Sequence, residues 1–169
     1  MVTPDAGRPS PSRLAAVREV AGAVADPEIP VLTIADLGVL REVVDEAGVA
    51  TVVITPTYSG CPAMDVIREE IVAAVERAGL GPVAVKTVLS PAWTTDWMTE
   101  RGRQALRTYG IAPPAPGPAP VTFFRTAPVR CPRCGSTNTT EIAPFGSTAC
   151  KALWRCESCR EPFDYFKTH

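Results

Sequence analysis

An α+β fold in two parts is what this sequence predicts: a small three-stranded sheet with helices, followed by a smaller C-terminal module. Three observations carry that expectation. Up to residue 111, apolar residues switch between helical and strand spacing in the order helix, hairpin, helix, strand, helix. Pro113, Pro114, Pro116, Pro118 and Pro120 then interrupt every periodicity. Beyond them, two C-x-x-C pairs stand in a stretch poor in aliphatic residues.

Leu14, Val17, Val20, Ala21 and Val24 recur at helical spacing, with Ser12 placed to cap the start and Asp26-Pro27 to stop the helix. After a loop from Asp26 to Gly38, the β-branched runs Val39 to Val44 and Val49 to Thr55 read as a hairpin with a four-residue turn, Asp45 to Gly48. Met64, Ile67, Ile71, Val72 and Val75 make one apolar helical stripe that ends at Gly79. Val83 to Leu89 is a third strand. Met98, Gly102, Ala105, Leu106 and Tyr109 mark a last helix ending at Gly110.

The expected domain organisation is therefore a domain over 12–111, a Pro-rich linker over 112–120 and a module over 121–169. Val121 to Arg125 is a candidate short strand, and the two cysteine pairs read as tight turns, with Thr137 to Ile142 and Lys151 to Arg155 between them and Pro162 to Phe166 after them. A module this short with so few aliphatics needs something besides a core to hold it.

Charge and composition narrow the function classes. Residues 1–111 carry ten Lys/Arg against fourteen Asp/Glu, and 121–169 carry seven against four. An acidic first part argues against wrapping nucleic acid. No apolar run approaches the length of a membrane helix, and Met1 to Ser12 lacks the apolar region of a secretory signal, so the expected location is cytoplasmic. In a reducing compartment, C-x-x-C spacing favours metal over disulfide.

Cys131/Cys134 and Cys156/Cys159 are separated by twenty-one residues, close to the spacing of two knuckles on one tetrahedral ion. Four thiolates leave no open position for water or substrate, so the site is structural and zinc is the expected metal; rubredoxin-like iron suits the same ligand set. Cys150 is a buried apolar thiol or an alternative ligand, and the terminal His169 receives no role.

Cys61 stands apart from these, in Thr55-Pro-Thr-Tyr-Ser-Gly-Cys61-Pro62, immediately before a helix. Backbone amides at a helix N-terminus stabilise a thiolate, which makes a ligand or nucleophile, whereas Asp65 in the first turn works against it; an inert buried thiol is the plain alternative. Asp26, Glu28 and Asp36 share one loop, where carboxylates either serve chemistry or cap turns. Trp93 and Trp97 are core or a docking patch.

Asp26-Pro-Glu-Ile-Pro30, Asp36-Leu-Gly38 and Thr55-Pro-Thr57 followed by Cys61-Pro62 resemble the small α+β domain of the iron–sulfur cluster assembly family, over about residues 12–90. Trp93-Thr-Thr-Asp-Trp97, Tyr109 to Pro114, Phe145 to Ala152 and Glu161 to Lys167 resemble one branch, the D subunits of the phenylacetyl-CoA epoxidase system of aerobic phenylacetate degradation. One departure is at the end, where family members carry a cysteine and this chain has Thr168-His169.

The resemblance implies a non-catalytic accessory subunit that helps mature iron or iron–sulfur centres of the multicomponent monooxygenase, whose oxygenase or reductase subunits are the clients. Carried over residue by residue, Cys61 is the ligand of a transient iron or iron–sulfur cluster, and Asp26, Glu28, Asp36 and Thr57 shape its pocket. A single cysteine cannot hold a cluster alone, so a homodimer, or one subunit and a client, must share it. Two other readings compete. A nucleic-acid-binding zinc ribbon is suggested by Arg130, Arg133, Lys151, Arg155 and Arg160, and a thiol enzyme by Cys61, although no histidine precedes residue 169 to serve as its base.

Overall fold

The computed structural model of the chain describes residues 9–115 and 128–168, which form two compact units that divide between Trp93 and Thr94. In the first, helix α1 (Pro11–Gly22) starts at Ser10, whose Oγ accepts from the Arg13 N–H at 3.2 Å. The cap is thus Ser10 and not Ser12, because Pro11, with its preset φ and no N–H to leave unpaired, opens the helix itself.

Strands β1 (Leu40–Glu46) and β2 (Val49–Ile54) pair antiparallel with Glu46 opposite Val49, so the hairpin turn has two residues and not four. Ala47 and Gly48 supply the two positive φ values, +53° and +87°, that such a turn requires. Helix α2 (Ala63–Arg77) then crosses over to β3 (Val83–Thr87), which lies parallel to β2. The sheet order is β1-β2-β3, and central β2 buries Ala50, Val52 and Ile54 completely. Val17 and Ala21 of α1 and Ile67, Ile71 and Val75 of α2 complete this core. The Arg13 guanidinium fastens the start of α1 to the α2–β3 turn, donating to the Leu80 carbonyl at 2.8 Å and the Pro82 carbonyl at 2.9 Å.

The second unit begins with a 3-10 turn (Thr95–Trp97) and α3 (Glu100–Tyr109), which Thr99 caps and Gly110 ends in the left-handed conformation. A short strand β4 (Ile111–Ala112) follows directly and pairs parallel with β7 (Pro162–Phe166). With β5 (Thr139–Ala143) and β6 (Lys151–Cys156) the sheet order is β4-β7-β6-β5. This corrects the expected boundary at 111/112. Ala112 belongs to the C-terminal sheet rather than to a spacer, and α3 groups with it, because the ladder to β7 begins one residue after the helix ends. The strand expected over 121–125 and most of the expected linker lie outside the described residues.

Behind the second sheet lies a thin core of Ala112, Val129, Ala152, Trp154 and Phe163, joined by two cysteines, Cys131 and Cys156. Trp93 of the first unit is buried and its indole donates to the Leu37 carbonyl at 2.9 Å, so this tryptophan is core; Trp97 is half-buried.

Candidate functional site

The four C-x-x-C thiols converge. Their Sγ atoms all lie within 4.8 Å of one another, with Cys131 to Cys159 at 3.9 Å and Cys134 to Cys156 at 3.5 Å. A zinc–sulfur bond of about 2.3 Å places the corners of a tetrahedron about 3.8 Å apart, so the thiols as they stand fit the ion.

The two knuckles repeat one construction. The Gly135 N–H returns to the Cys131 carbonyl at 3.0 Å, and the Arg160 N–H to the Cys156 carbonyl at 2.9 Å. Ser136 and Ser158, one on each knuckle, place their hydroxyls 2.8 Å apart. The backbone N–H of Cys159, outweighing burial, and that of Ser158 pull the Cys156 thiol down to about 6. On Cys159 the Glu161 N–H acts in the same sense, but burial and the neighbouring thiols push it up to about 12. Four clustered thiols oppose one another's ionisation, and a dication at their centre removes that opposition.

Cys150 is not among the converging thiols: it is buried apart from them, with the Thr148 hydroxyl 3.1 Å from its sulfur. His169 lies outside the described residues.

Cys61 occupies the loop between β2 and α2. Gly60, at φ +88°, reverses the chain so that the Cys61 N–H reaches the Tyr58 carbonyl at 3.3 Å, and the Cys61 carbonyl then accepts from Met64 at the head of α2. The sulfur is half-buried, and burial pushes the thiol above its ordinary value. The Ala63 N–H and the Tyr58 side chain pull it down, and the charges of Glu28 and Asp26 push it up again. The helix N-terminus expected to favour the thiolate is present but outweighed.

The structure therefore brings Asp26 and Glu28 within electrostatic reach of Cys61, yet their oxygens do not join its sulfur in a common ligand set among the described residues. Asp26 Oδ1 accepts from the Glu28 and Ile29 N–H groups at 2.9 and 2.7 Å. Asp36 is buried, with Oδ2 accepting from the Thr33 hydroxyl at 2.9 Å and N–H at 3.3 Å. Both thus serve as turn caps, which shape the 26–38 loop. Thr57 is half-buried in the Cys61 loop, two residues beyond Thr55, whose buried hydroxyl has no hydrogen-bond partner among the described residues. Tyr58 escaped the sequence reading; the signal for it is its place at i−3 in the turn that presents Cys61.

No helix among the described residues is long and apolar enough to cross a membrane. Residues 14–89 match the iron–sulfur cluster assembly protein family, and residues 115–167 match the PaaD zinc beta ribbon domain. The ribbon family and the converging thiols agree on zinc, and Cys131, Cys134, Cys156 and Cys159 are the residues that could hold it.

A protein of Escherichia coli strain K12, provisionally named as the D component of 1,2-phenylacetyl-CoA epoxidase, is 55% identical over 144 residues, covering 85% of this chain and 86% of its own. A protein of Porphyromonas gingivalis named an Fe-S protein maturation auxiliary factor is 40% identical over 79 residues, covering 46% of this chain and 74% of its own. Among solved structures, a domain of unknown function from Bacillus anthracis superposes with a TM-score of 0.51 at 26% identity, covering 56% of this chain and 92% of that one.

Proposed function

The chain belongs to the family of 1,2-phenylacetyl-CoA epoxidase D subunits, and from that membership we propose that it is a non-catalytic accessory subunit that assists the maturation of iron or iron–sulfur centres in the epoxidase. Its clients are the oxygenase or reductase subunits of that multicomponent enzyme. The observation that carries this reading is Cys61 at the head of α2: a single soft ligand, half-buried, faced by the charges of Asp26 and Glu28 in a domain that matches cluster-assembly proteins.

In this reading the cargo is iron or an iron–sulfur cluster, and Cys61 is its ligand. The carboxylates of Asp26 and Glu28 attract cationic iron, while a thiol kept protonated between transfers is slower to oxidise. Asp36 and Thr57 act at one remove, Asp36 by holding the Thr33 turn and Thr57 by framing the Cys61 loop. Only one cysteine is offered, so the remaining ligands come from a client or from a second copy of the chain. The ligation therefore stays open and the cargo can leave. The zinc ribbon takes no part in this exchange, because its four thiols saturate its ion.

Cys61→Ser tests the proposal. The variant should fold normally, since a hydroxyl is smaller than the half-buried thiol and can accept from the Ala63 N–H as the sulfur does, and cells carrying it should yield epoxidase subunits short of iron and grow poorly on phenylacetate. Fully metallated subunits from such cells would refute the role of Cys61.

A further inference from the structure

The connection between β5 and β6, residues 144–150, lies outside the thiol cluster and the Cys61 loop, yet it is braced by several hydrogen bonds. Its tip is Phe145, 65% exposed. The Lys167 ammonium sits 4.3 Å from the centre of that ring and also donates to the Pro144 carbonyl at 3.2 Å, so the aromatic is held while remaining open to solvent.

Beneath it, the Gly146 N–H bonds the Lys151 carbonyl at 2.8 Å, the Lys151 N–H bonds Thr148 at 3.2 Å, and the Lys167 N–H bonds Cys150 at 2.9 Å. A side chain at Gly146 would stand 3.0 Å from Asp164 Oδ1, and the other oxygen of that carboxylate faces the buried Lys151 ammonium at 3.8 Å. Gly146 thus leaves this carboxylate room that a side chain would crowd.

Three residues before Phe145 in the chain, Ile142 is the extra residue of a β-bulge, between the pairs Glu141–Trp154 and Ala143–Leu153. Bulges re-aim side chains, and this one leaves Ile142 53% exposed on the edge strand of the sheet.

We propose that exposed Phe145 and Ile142, with the Lys167 ammonium beside the Phe145 ring, form the surface by which the protein docks on its epoxidase client. The client supplies an apolar pocket with carboxylates at its rim. The proposal rests on the client reading above. An exposed aromatic already in contact with a neighbouring cation has less freedom to lose on burial than an unsupported one, as suits an interface anchor.

Acidic chemistry in the partner follows from Lys167, which forms no ion pair among the described residues, and from the excess of seven Lys/Arg over four Asp/Glu in residues 121–169. A second copy of the chain fits less well, because a two-fold contact at this tip would set Lys167 against its own counterpart.

Calorimetric titration of the full-length zinc-loaded protein into each purified epoxidase subunit in turn tests this. Wild type should bind one of them, Phe145→Ala should bind it about thirtyfold more weakly, as loss of an anchor residue does, and Lys167→Glu should also weaken it. Both variants should keep their zinc and their melting temperature, since the substituted side chains lie outside the core. Wild-type affinity in Phe145→Ala would overturn the docking surface alone, whereas failure of the wild type to bind any subunit would remove the client reading and this proposal together. A dimer lost on Phe145→Ala, seen by light scattering, would assign the tip to a second copy and overturn the client surface.

Discussion

Gly135 and Arg160 hold the same backbone position in the two zinc knuckles, four residues after the first cysteine of each pair, with φ of +75° and +66°. Each N–H closes its knuckle onto a cysteine carbonyl. Glycine adopts this left-handed conformation freely, while a residue with a Cβ pays about 1–2 kcal/mol for it.

Gly135→Ala should therefore lower the stability of the ribbon by about 1–2 kcal/mol, although nothing lies within 4 Å of the added carbon and no clash is involved. Arg160→Gly should hold or raise the melting temperature, since the ion pair it forfeits with Glu157, at 3.2 Å, joins an arginine that is largely exposed. Thermal melts of the two variants check both signs, and a neutral Gly135→Ala would show that the knuckle tolerates the strain.

Metal removal should affect the two units differently. The core behind the second sheet is thin, and two of its buried members, Cys131 and Cys156, belong to the converging thiols, so ion binding there and folding of this region should be one equilibrium. Chelation should unfold the ribbon strands β5, β6 and β7 and expose Trp154, which is buried against Tyr165 at 6.0 Å between ring centres, while the β1-β2-β3 sheet keeps its amide protection. The protein should carry about one zinc per chain. Ribbon strands that stay protected from hydrogen exchange after complete zinc removal would contradict this.

How much of this was legible in the sequence differs by element. Helix α2 and the three central strands were, because Met64, Ile67, Ile71 and Val75 and the β-branched runs state their periods directly. The convergence of the four C-x-x-C thiols was legible because knuckle spacing is a local constraint. The hairpin turn was misjudged because Asp45 and Glu46 look like loop residues, whereas Asp45 Oδ1 accepts from the Gly48 N–H at 2.8 Å and draws the turn tight. Strand β4 was invisible: Ile111 and Ala112 form a strand only because β7, fifty residues on, offers an edge. The effect of Asp26 and Glu28 on Cys61 is likewise a product of folding, which brings together loops more than thirty residues apart in sequence.

Cys150 should prove structural. Its sulfur is buried and beside the Thr148 hydroxyl, away from the zinc thiols. Cys150→Ala should cost about 1 kcal/mol of stability through the lost volume, with zinc content unchanged by elemental analysis. A variant that loses zinc instead would make Cys150 a ligand.

The thiol of Cys61 offers a test by pH. Burial raises it above the ordinary thiol value of 9.0, and the charges of Glu28 and Asp26 add to the rise. At neutral pH it is therefore protonated to a greater extent than a free cysteine, and alkylation, which requires the thiolate, should be slower than for a model thiol and should climb only as pH passes the ordinary range. Glu28→Gln and Asp26→Asn remove charges that oppose ionisation and should each speed the reaction at pH 8; in the latter the amide oxygen can still cap the Glu28 and Ile29 N–H groups. Tyr58→Phe removes a group that favours the thiolate and should slow it. Mass spectrometry resolves Cys61 from the zinc-bound thiols and the buried Cys150. Alkylation faster than a model thiol at pH 7 would mean that the amides at the head of α2 dominate after all, and that the carboxylates of the 26–38 loop do not govern the charge of Cys61.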